Sequence, residues 1–451
     1  MRRGTSQMKR TQRRPSVVVT TGGRGVVAHA GARLLCDLAD RLGLSAGLSA
    51  AMAPTKRRRR GHDRGRVAVD LAVALADGAT AISDLRVLAN QPALFGEVAS
   101  VPTAWRTLGA IDAAALARIA AARAQARARA WAAGMDPGFY VIDIDGTLVG
   151  AHSDKEQAAP TYKGGFGFYP LLAYLDRTGE PLAALLRAGN AGSGTAAEHV
   201  TVLDAALLQL PVDPKVSEVI VRTDSAALSH QFLEACRERG CRFVVGHPLT
   251  AELASVIVKA PQSRWTAAIS ADGMDEREGA FVAEVSDLVD LSAWPAGTRM
   301  IARREEPHPG AQLTFTDIDG HRYQVFLTDH PERDAPFLEA LYRGRGRCEC
   351  AIRDAKDSGL ANLPSADFAI NQAWCALVLV AGDLLAWMKG LCLRGELAAA
   401  EPKRLRFALL HAAGVLVRSA RRTILRIAAG WAWAAELVNA FARLPSRSLV
   451  T

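Results

Sequence analysis

Two apolar runs that each end in aspartate constrain the fold of this chain more than any other feature. The first run, residues 139–149, carries Asp143 and Asp145, and a glycine directly follows the second acid. The second run, residues 219–223, leads directly into Asp224. Short apolar runs of this kind are typical of buried β-strands. A carboxylate at the end of a buried strand is costly unless something positive binds it. The two runs therefore predict two buried strands that bring acids to a common sheet edge.

The residues between the two runs predict the order of the remaining elements. Residues 169–176 and 181–187 indicate two strands joined by a turn at 177–180. A helical pattern follows at about 196–210. Three antiparallel strands, a helix, and a fourth strand that returns beside the first are the order of a ribonuclease-H-like core. In that order the acids at the ends of the first and fourth strands would meet.

Four polar side chains later in the chain recur at intervals of three, four and seven residues. They are Tyr342, Arg345, Glu349 and Lys356. These steps bring all four onto one face of an ideal helix, within about 60°. A carboxylate flanked by two cations and a phenol makes a poor core face, but it can hold a metal ion against phosphates. Taken alone, the pattern fits a solvated helix surface equally well, and two glycines weaken the helix at its start.

The spacing of these four residues resembles the Tyr-Arg-Glu-Lys signature around the third catalytic acid of bacterial insertion-sequence transposases. These enzymes are of the DDE type, named for their three catalytic acids. The segments 162–170 and 187–199 resemble those that follow the first acid in the group called transposase DDE domain group 1. The resemblance spans about residues 26–444. It implies that the chain is a DDE transposase.

The resemblance also implies a set of catalytic groups. The catalytic acids, which would also be the metal ligands, are Asp145, Asp224 and Glu349. They would hold two Mg²⁺ or Mn²⁺ ions about 3.5 to 4 Å apart. Tyr342, Arg345 and Lys356 would grip phosphates near the scissile bond. The partners would be double-stranded DNA, at terminal inverted repeats and at the target, and a second copy of the chain in a synaptic complex. No nucleotide cofactor is expected.

Three alternatives remain open on the sequence. Asp143 competes with Asp145 for the role of first acid, because the two side chains share a strand face; Asp145 precedes Gly-Thr, as the first acid does in the related enzymes. The same run resembles the first motif of haloacid-dehalogenase-type phosphatases, with Asp143 as nucleophile and Asp145 as acid and base. That interpretation lacks a persuasive later lysine and acid pair, since Asp383 lies in an apolar helical pattern. A DNA-binding relative that has lost catalysis is a further possibility.

The charge of the chain is concentrated near its N-terminus. The net charge of +9 favours a polyanionic partner. Residues 1–70 hold sixteen Lys and Arg against four Asp. Helical segments at 31–44 and 66–88 flank a basic run that contains Arg57, Arg58, Arg59 and Arg60. We expect these arginines to contact DNA phosphates, although a solvated loop would give the same pattern.

The later parts of the chain predict a β-rich insertion and a basic C-terminal helix. Alternating runs at 279–285, 299–303 and 321–327 are typical of strands. Within the insertion, Trp265 or Trp294 could stack on a displaced base or simply fill a core. A third arginine group, Arg418, Arg422 and Arg426, recurs every four residues and predicts an amphipathic helix that binds DNA, covers the core, or does both.

The expected fold class is α/β. It combines a ribonuclease-H-like catalytic core, a mixed sheet flanked by helices, with a β-rich insertion between the second and third acids and a helical N-terminal DNA-binding region. The expected segments are a disordered basic tail at 1–25, the helical DNA-binding region at 26–135, the first part of the core at 136–247, the insertion at 248–335, the second part of the core at 336–395, and basic helices at 396–451. Seven scattered cysteines, no convincing targeting segment and no membrane-length apolar run predict a cytoplasmic, nucleoid-associated bacterial protein without structural zinc.

Overall fold

The structure is a computed structural model that places a large mixed β-sheet among helices. It describes residues 17–56, 61–192, 194–271, 273–307, 310, 312, 317–331, 333–420 and 422–446. The tail predicted at 1–25 therefore lies largely outside the described residues. Arg57, Arg58, Arg59 and Arg60 lie outside them entirely. The observed class is mixed α/β, as the sequence predicts.

The N-terminal part of the chain is helical. Its elements are β1 Val26–Val27, α1 Ala32–Arg41, α2 Leu44–Met52, α3 Arg64–Ala76, α4 Arg86–Ala89, α5 Pro92–Phe95, α6 Val101–Leu108 and α7 Ala113–Ala130. The Asp63 carboxylate accepts hydrogen bonds from the amides of Gly65 and Arg66, which starts α3. Gly65 also lets α3 cross α2 closely, because a Cβ there would lie 2.3 Å from the carbonyl carbon of Leu48.

The next elements form the centre of the sheet. They are β2 Tyr140–Gly146, β3 Val149–Gly150, β4 Ala159–Pro160, β5 Phe166–Phe168, β6 Leu171–Leu175, β7 Pro181–Leu185, α8 Ala196–Leu207, β8 Val219–Thr223, α9 His230–Glu238 and β9 Arg242–His247. β2 is antiparallel to β6, and β6 is antiparallel to β7. β8 lies parallel to β2 on its other side, and β9 lies parallel to β8. The predicted order, with the fourth strand of the series beside the first, is present.

The β-rich region after β9 extends this same sheet. Its elements are α10 Ala251–Ile257, β10 Thr266–Ile269, β11 Glu276–Glu284, β12 Arg299–Glu305, β13 Asp317–Ile318 and β14 His321–Thr328. β14 pairs antiparallel with β9, and β12, β11 and β10 follow outward. Trp265 is buried there, with the Arg304 guanidinium 4.3 Å from its ring centroid and Tyr323 packed edge-on. That indole fills the core rather than offering a face to a base.

The C-terminal part corrects one prediction. Its elements are α11 Ala335–Arg343, α12 Gly346–Ala355, α13 Phe368–Trp387, α14 Pro402–Leu405, β15 Gly414–Ser419, β16 Arg422–Ile427 and α15 Ala434–Ala442. The predicted basic helix is a β-hairpin. Its β-branched residues favour strands, and residues four apart share a face on a strand as well as on a helix. Arg418 lies opposite Thr423, whereas Arg422 lies opposite Ser419. Arg422 and Arg426 therefore share one hairpin face, and Arg418 lies on the other.

α13 is the central core helix of the protein. With its continuation to Cys392 it is long and apolar enough to cross a membrane, but 78% of its most apolar window is buried inside the protein. Its Asp383 is fully buried and binds Arg123 at 2.6 Å and Arg127 at 2.6 Å, both from α7. Arg127 also binds Glu180 at 3.1 Å. This buried network ties α7 and α13 to the turn between β6 and β7.

Candidate active site

Asp145 and Asp224 meet at the ends of neighbouring parallel strands. Ile144 of β2 pairs with Thr223 of β8, so the two acids occupy the next positions side by side. One oxygen of Asp145 accepts a hydrogen bond from the Gly146 amide at 2.8 Å. One oxygen of Asp224 accepts from the amide of Ala226 at 2.9 Å and starts the short helix that follows. We call Asp145 and Asp224 the strand-end acids.

Arg345 connects Asp145 to Glu349. Its Nη1 donates to Asp145 Oδ2 at 3.1 Å, and its Nη2 donates to Glu349 Oε1 at 3.3 Å. Burial, together with the charges of Asp224 and Glu349, raises the pKa of Asp145 to about 6, although Arg345 acts in the opposite direction. The Glu349 side chain remains 65% exposed. Arg345 thus binds two of the three carboxylates, and Asp224 adds a third negative charge beside Asp145.

The third-acid pattern spans two helices rather than the single ideal helix that its spacing predicts. The break between α11 and α12 falls at Gly344 and Arg345. A Cβ on Gly344 would lie 2.5 Å from Nη1 of Arg222 and 2.6 Å from Nη2 of Arg347. The glycine therefore makes room for two guanidinium groups at the turn, and the turn places Arg345 between the two acids that it binds.

Tyr342 lies at the edge of the site with its ring in the core. The ring stacks on Phe326 with centroids 4.7 Å apart and planes 18° apart. Its hydroxyl reaches the end of β9, where a Cβ on Gly246 would lie 2.4 Å from the hydroxyl oxygen. Burial raises the pKa of Tyr342, and the charge of Asp224 adds to the rise. The phenol is therefore a neutral hydrogen-bonding group beside a strand-end acid.

Lys356 does not join the other three residues of the pattern. It follows the last residue of α12, and burial and the charge of Lys163 lower its pKa. Within the described part of the chain, no ion pair links Lys356 to Asp145, Asp224 or Glu349. The structure thus gathers the three acids with Tyr342 and Arg345, and it places Lys356 beside another lysine instead.

Asp143 is occupied by a buried ion pair. Both of its oxygens accept from Arg222 of β8, at 2.6 Å and 2.7 Å. Arg222 also binds Asp176 at 2.8 Å and donates to the carbonyl of Leu341. Asp176 in turn binds Arg347 of α12 at 2.6 Å. Arg222 therefore ties α11 to the sheet, Asp176 ties α12 to it, and both oxygens of Asp143 are engaged by Arg222.

Sequence reasoning assigned no role to Tyr169 or Arg187, which border the site. A Cβ on Gly146 would lie 2.9 Å from the Tyr169 hydroxyl, so this phenol lies against the end of β2. Burial raises the pKa of Tyr169, as do Tyr162 and both strand-end acids. The Arg187 guanidinium lies 5.0 Å from the Tyr169 ring centroid, and its Nη2 is buried without a hydrogen bond to any described residue. Both residues belong to segments that resemble the transposase family, and this resemblance is the sequence feature that could have identified them as site residues.

Comparisons with known proteins identify the family of this chain. A solved structure, the piggyBac transposase synaptic complex with hairpin DNA, is similar to the chain at 9% identity and a TM-score of 0.45, over 84% of this chain and 80% of that one. This likeness is too weak to support a conclusion about the fold. No curated protein matches the sequence. The family model for transposase DDE domain group 1, by contrast, matches residues 9–449, almost the whole chain. The protein belongs to the transposase DDE domain group 1 family.

Proposed function

We propose that this protein is the transposase of a bacterial insertion sequence, with a ribonuclease-H-like core in which Asp145, Asp224 and Glu349 are the catalytic acids. One observation carries the proposal. The strand-end acids lie side by side on parallel neighbours β2 and β8, and Arg345 joins Asp145 to Glu349. The reaction would be cleavage at the ends of the element, followed by transfer of the 3′ ends into target DNA.

Divalent metal ions, which DDE transposases generally use, fit the residues at this site. The donor set is three carboxylates, the oxygen ligands that Mg²⁺ and Mn²⁺ prefer. Burial is the largest cause of the raised pKa of Asp145, and the charges of Asp224 and Glu349 add to it, so a bound cation would offset the cost of the ionised carboxylate. Two bound ions would activate the attacking hydroxyl and stabilise the leaving oxygen.

The other residues of the site would act on the DNA backbone. Once metal neutralises Asp145 and Glu349, Arg345 would be free to donate to a phosphate. The hydroxyls of Tyr342 and Tyr169 would donate to phosphate oxygens near the strand-end acids. Lys356, placed beside Lys163, would contact a phosphate farther along the duplex rather than the scissile one.

Asp145 rather than Asp143 would be the first acid. The Asp143 carboxylate is buried and held on both oxygens by Arg222, so it has no free oxygen for a metal or a nucleophilic attack. The phosphatase alternative needs Asp143 as nucleophile, and it needs a later acid that Asp383 would have to supply. Asp383 is instead bound by two buried arginines. These contacts favour the transposase over the phosphatase.

The partners follow from the proposed reaction. They would be double-stranded DNA, at terminal inverted repeats and at the target, and a second copy of the chain that pairs the two ends. Arg57, Arg58, Arg59 and Arg60 are proposed to contact phosphates of the repeats. The protein would act in the cytoplasm, on the nucleoid.

The test is metal-dependent cleavage of the DNA that flanks the coding sequence, where inverted repeats are expected. With Mn²⁺ or Mg²⁺ the protein should nick duplexes that carry these ends. Glu349→Gln should bind the same duplex but fail to nick it, whereas Glu436→Gln, an exposed glutamate on α15, should behave as wild type. Nicking by Glu349→Gln would exclude this third acid. DNA binding without nicking by the wild-type protein would identify a silent relative, and hydrolysis of a small phosphate ester instead would favour the phosphatase.

A further inference from the structure

Three side chains with metal-ligand chemistry meet where the N-terminal and C-terminal parts of the chain join. His29 lies between β1 and α1, Asp77 follows the last residue of α3, and His411 precedes β15. Asp77 is 48 residues from His29 and 334 residues from His411 in the sequence. No site proposed above uses this group, which we call the histidine–aspartate cluster.

The distances in the cluster suit a single small ion. His29 Nδ1 lies 2.6 Å from Asp77 Oδ2. His411 Nε2 lies 3.4 Å from Asp77 Oδ1 and 2.8 Å from the Asp77 carbonyl oxygen. One ligand atom from each residue lies within 4.8 Å of the other two. Ligands at about 2.0 to 2.1 Å from a tetrahedral Zn²⁺ would be about 3.4 Å apart, so small side-chain movements would complete the geometry.

The buried carboxylate of Asp77 points to a ligand. Asp77 is 6% exposed, and among the described residues its Oδ1 makes no hydrogen bond, its ion-pair partner being His411 Nε2 at 3.4 Å. A buried carboxylate oxygen without a hydrogen bond is costly. His29 also adopts a left-handed backbone with φ of 52°, a conformation that few non-glycine residues take. The side chain of His411 is 41% exposed, which leaves room for water as a further ligand.

We propose that His29, Asp77 and His411 bind one Zn²⁺ ion that fixes the terminal segments of the chain to the end of α3. Two imidazoles and one carboxylate suit Zn²⁺, whereas Mg²⁺ requires oxygen ligands. This site is therefore chemically distinct from the three-carboxylate site. It does not depend on the proposed transposase function.

The ion would hold a basic hairpin in place. β1 pairs with β15 through Val27 and Gly414, and the amide of Ala30 donates to the carbonyl of Ala412 at 2.9 Å. His29 lies next to these contacts in the segment after β1, and His411 lies next to them in the segment before β15. A metal bound to both would therefore secure the β15–β16 hairpin, which presents Arg418, Arg422 and Arg426 to solvent.

The first experiment measures zinc in the full-length protein after removal of metal with EDTA and dialysis against Zn²⁺. We expect one tightly bound zinc per chain in the wild type, which excess Mg²⁺ does not displace. His29→Gln and His411→Gln should each weaken binding by about 100-fold or more, since loss of a mere outer-shell partner already costs about 10 to 100-fold. His230→Gln, an exposed histidine on α9, and Asp145→Asn should both keep the zinc.

The second experiment uses only wild-type protein, so it does not depend on how the variants fold. Diethyl pyrocarbonate modifies accessible histidines, and mass spectrometry locates the adducts. Zinc should protect His29 and His411 from modification and leave His230 unprotected. Hydrogen exchange in residues 414–427 should also slow when zinc is bound. The proposal is overturned if stripped wild-type protein takes up no tight zinc, or if zinc protects neither cluster histidine.

Discussion

Separate Asn substitutions of Asp143 and Asp145 should have opposite effects on stability and activity. Asp143→Asn replaces one oxygen that accepts from Arg222 with an amide donor, inside a pair that is excluded from water. Breaking a buried ion pair costs about 3 to 5 kcal/mol. Burial raises the pKa of Asp143 to about 6, so the neutral amide also removes part of the cost of burying a charge. The lost contact outweighs this gain, because the fully buried Arg222 is left with Asp176 as its only carboxylate partner among the described residues. We therefore expect the lower end, about 3 kcal/mol.

Asp145→Asn should leave the metal-free protein as stable as the wild type or more stable. The pKa of Asp145 rises from 3.8 to about 6 on folding. That is a difference of about 2.2 units, and at 1.36 kcal/mol per unit it corresponds to about 3 kcal/mol at neutral pH, as an upper limit. A raised pKa means that the ionised carboxylate opposes folding above that pKa, so the neutral amide relieves the cost.

The assay for this pair combines urea unfolding at neutral pH in EDTA with Mn²⁺-supported nicking of DNA. Asp143→Asn should unfold at lower urea yet retain nicking at temperatures where it is folded. Asp145→Asn should unfold at equal or higher urea and show no nicking. An Asp143→Asn protein that is stable but inactive, beside an Asp145→Asn protein that still nicks, would refute the assignment of the first acid.

Three further outcomes follow from named contacts. Gly344→Ala should lower the free energy of unfolding by about 1 to 3 kcal/mol in urea, because the added Cβ would displace two guanidinium groups. Gly346→Ala is the control: a Cβ there meets open space, so the variant should be as stable as the wild type or more stable. Burial raises the pKa of Asp70 to about 6, so this carboxylate lowers the free energy of unfolding as pH rises from about 4 to about 6. The pKa values of Asp143 and Asp145 are also raised to about 6, so Asp70→Asn should reduce this fall without abolishing it, and an unchanged pH profile would contradict the prediction. Replacing residues 57–60 with Ala should weaken the salt dependence of binding to the element ends. The slope of log binding constant against log salt concentration should fall in magnitude by about 0.9 per lost phosphate contact. An unchanged slope would indicate that the β15–β16 hairpin, rather than residues 57–60, binds the DNA.

The strand-end acids could be predicted because their signal is local. An apolar run that ends in a carboxylate can be recognised without knowing which strand it pairs with or in which register. The predicted order of elements then placed β2 beside β8. The spacing of Arg345 and Glu349 was equally local, since residues four apart meet on a helix or across one tight turn. The ideal-helix prediction missed the break at Gly344, but that break lies before both residues and leaves the link between Arg345 and Glu349 intact.

The features that escaped prediction depend on partners distant in sequence. Arg123 and Arg127 belong to an alanine-rich helix whose pattern shows no core face, and only their pairing with Asp383 makes their burial possible. The arginines of the C-terminal hairpin escaped because a period of four is compatible with both a helix and a strand. β15 also pairs with β1, a contact across nearly the whole chain that the local pattern does not show.

Asp143 and Asp145 share one strand face, but the first has a structural role and the second is suited to bind metal. The two acids are two residues apart, and each meets an arginine. Arg222, which binds Asp143, is fully buried and belongs to the adjacent strand, so no other cation can replace it without dismantling the sheet. Arg345, which binds Asp145, is 23% exposed and lies in the turn between two helices. It also binds Glu349. Only Asp145 can therefore exchange its cation for a metal ion while the fold stays intact.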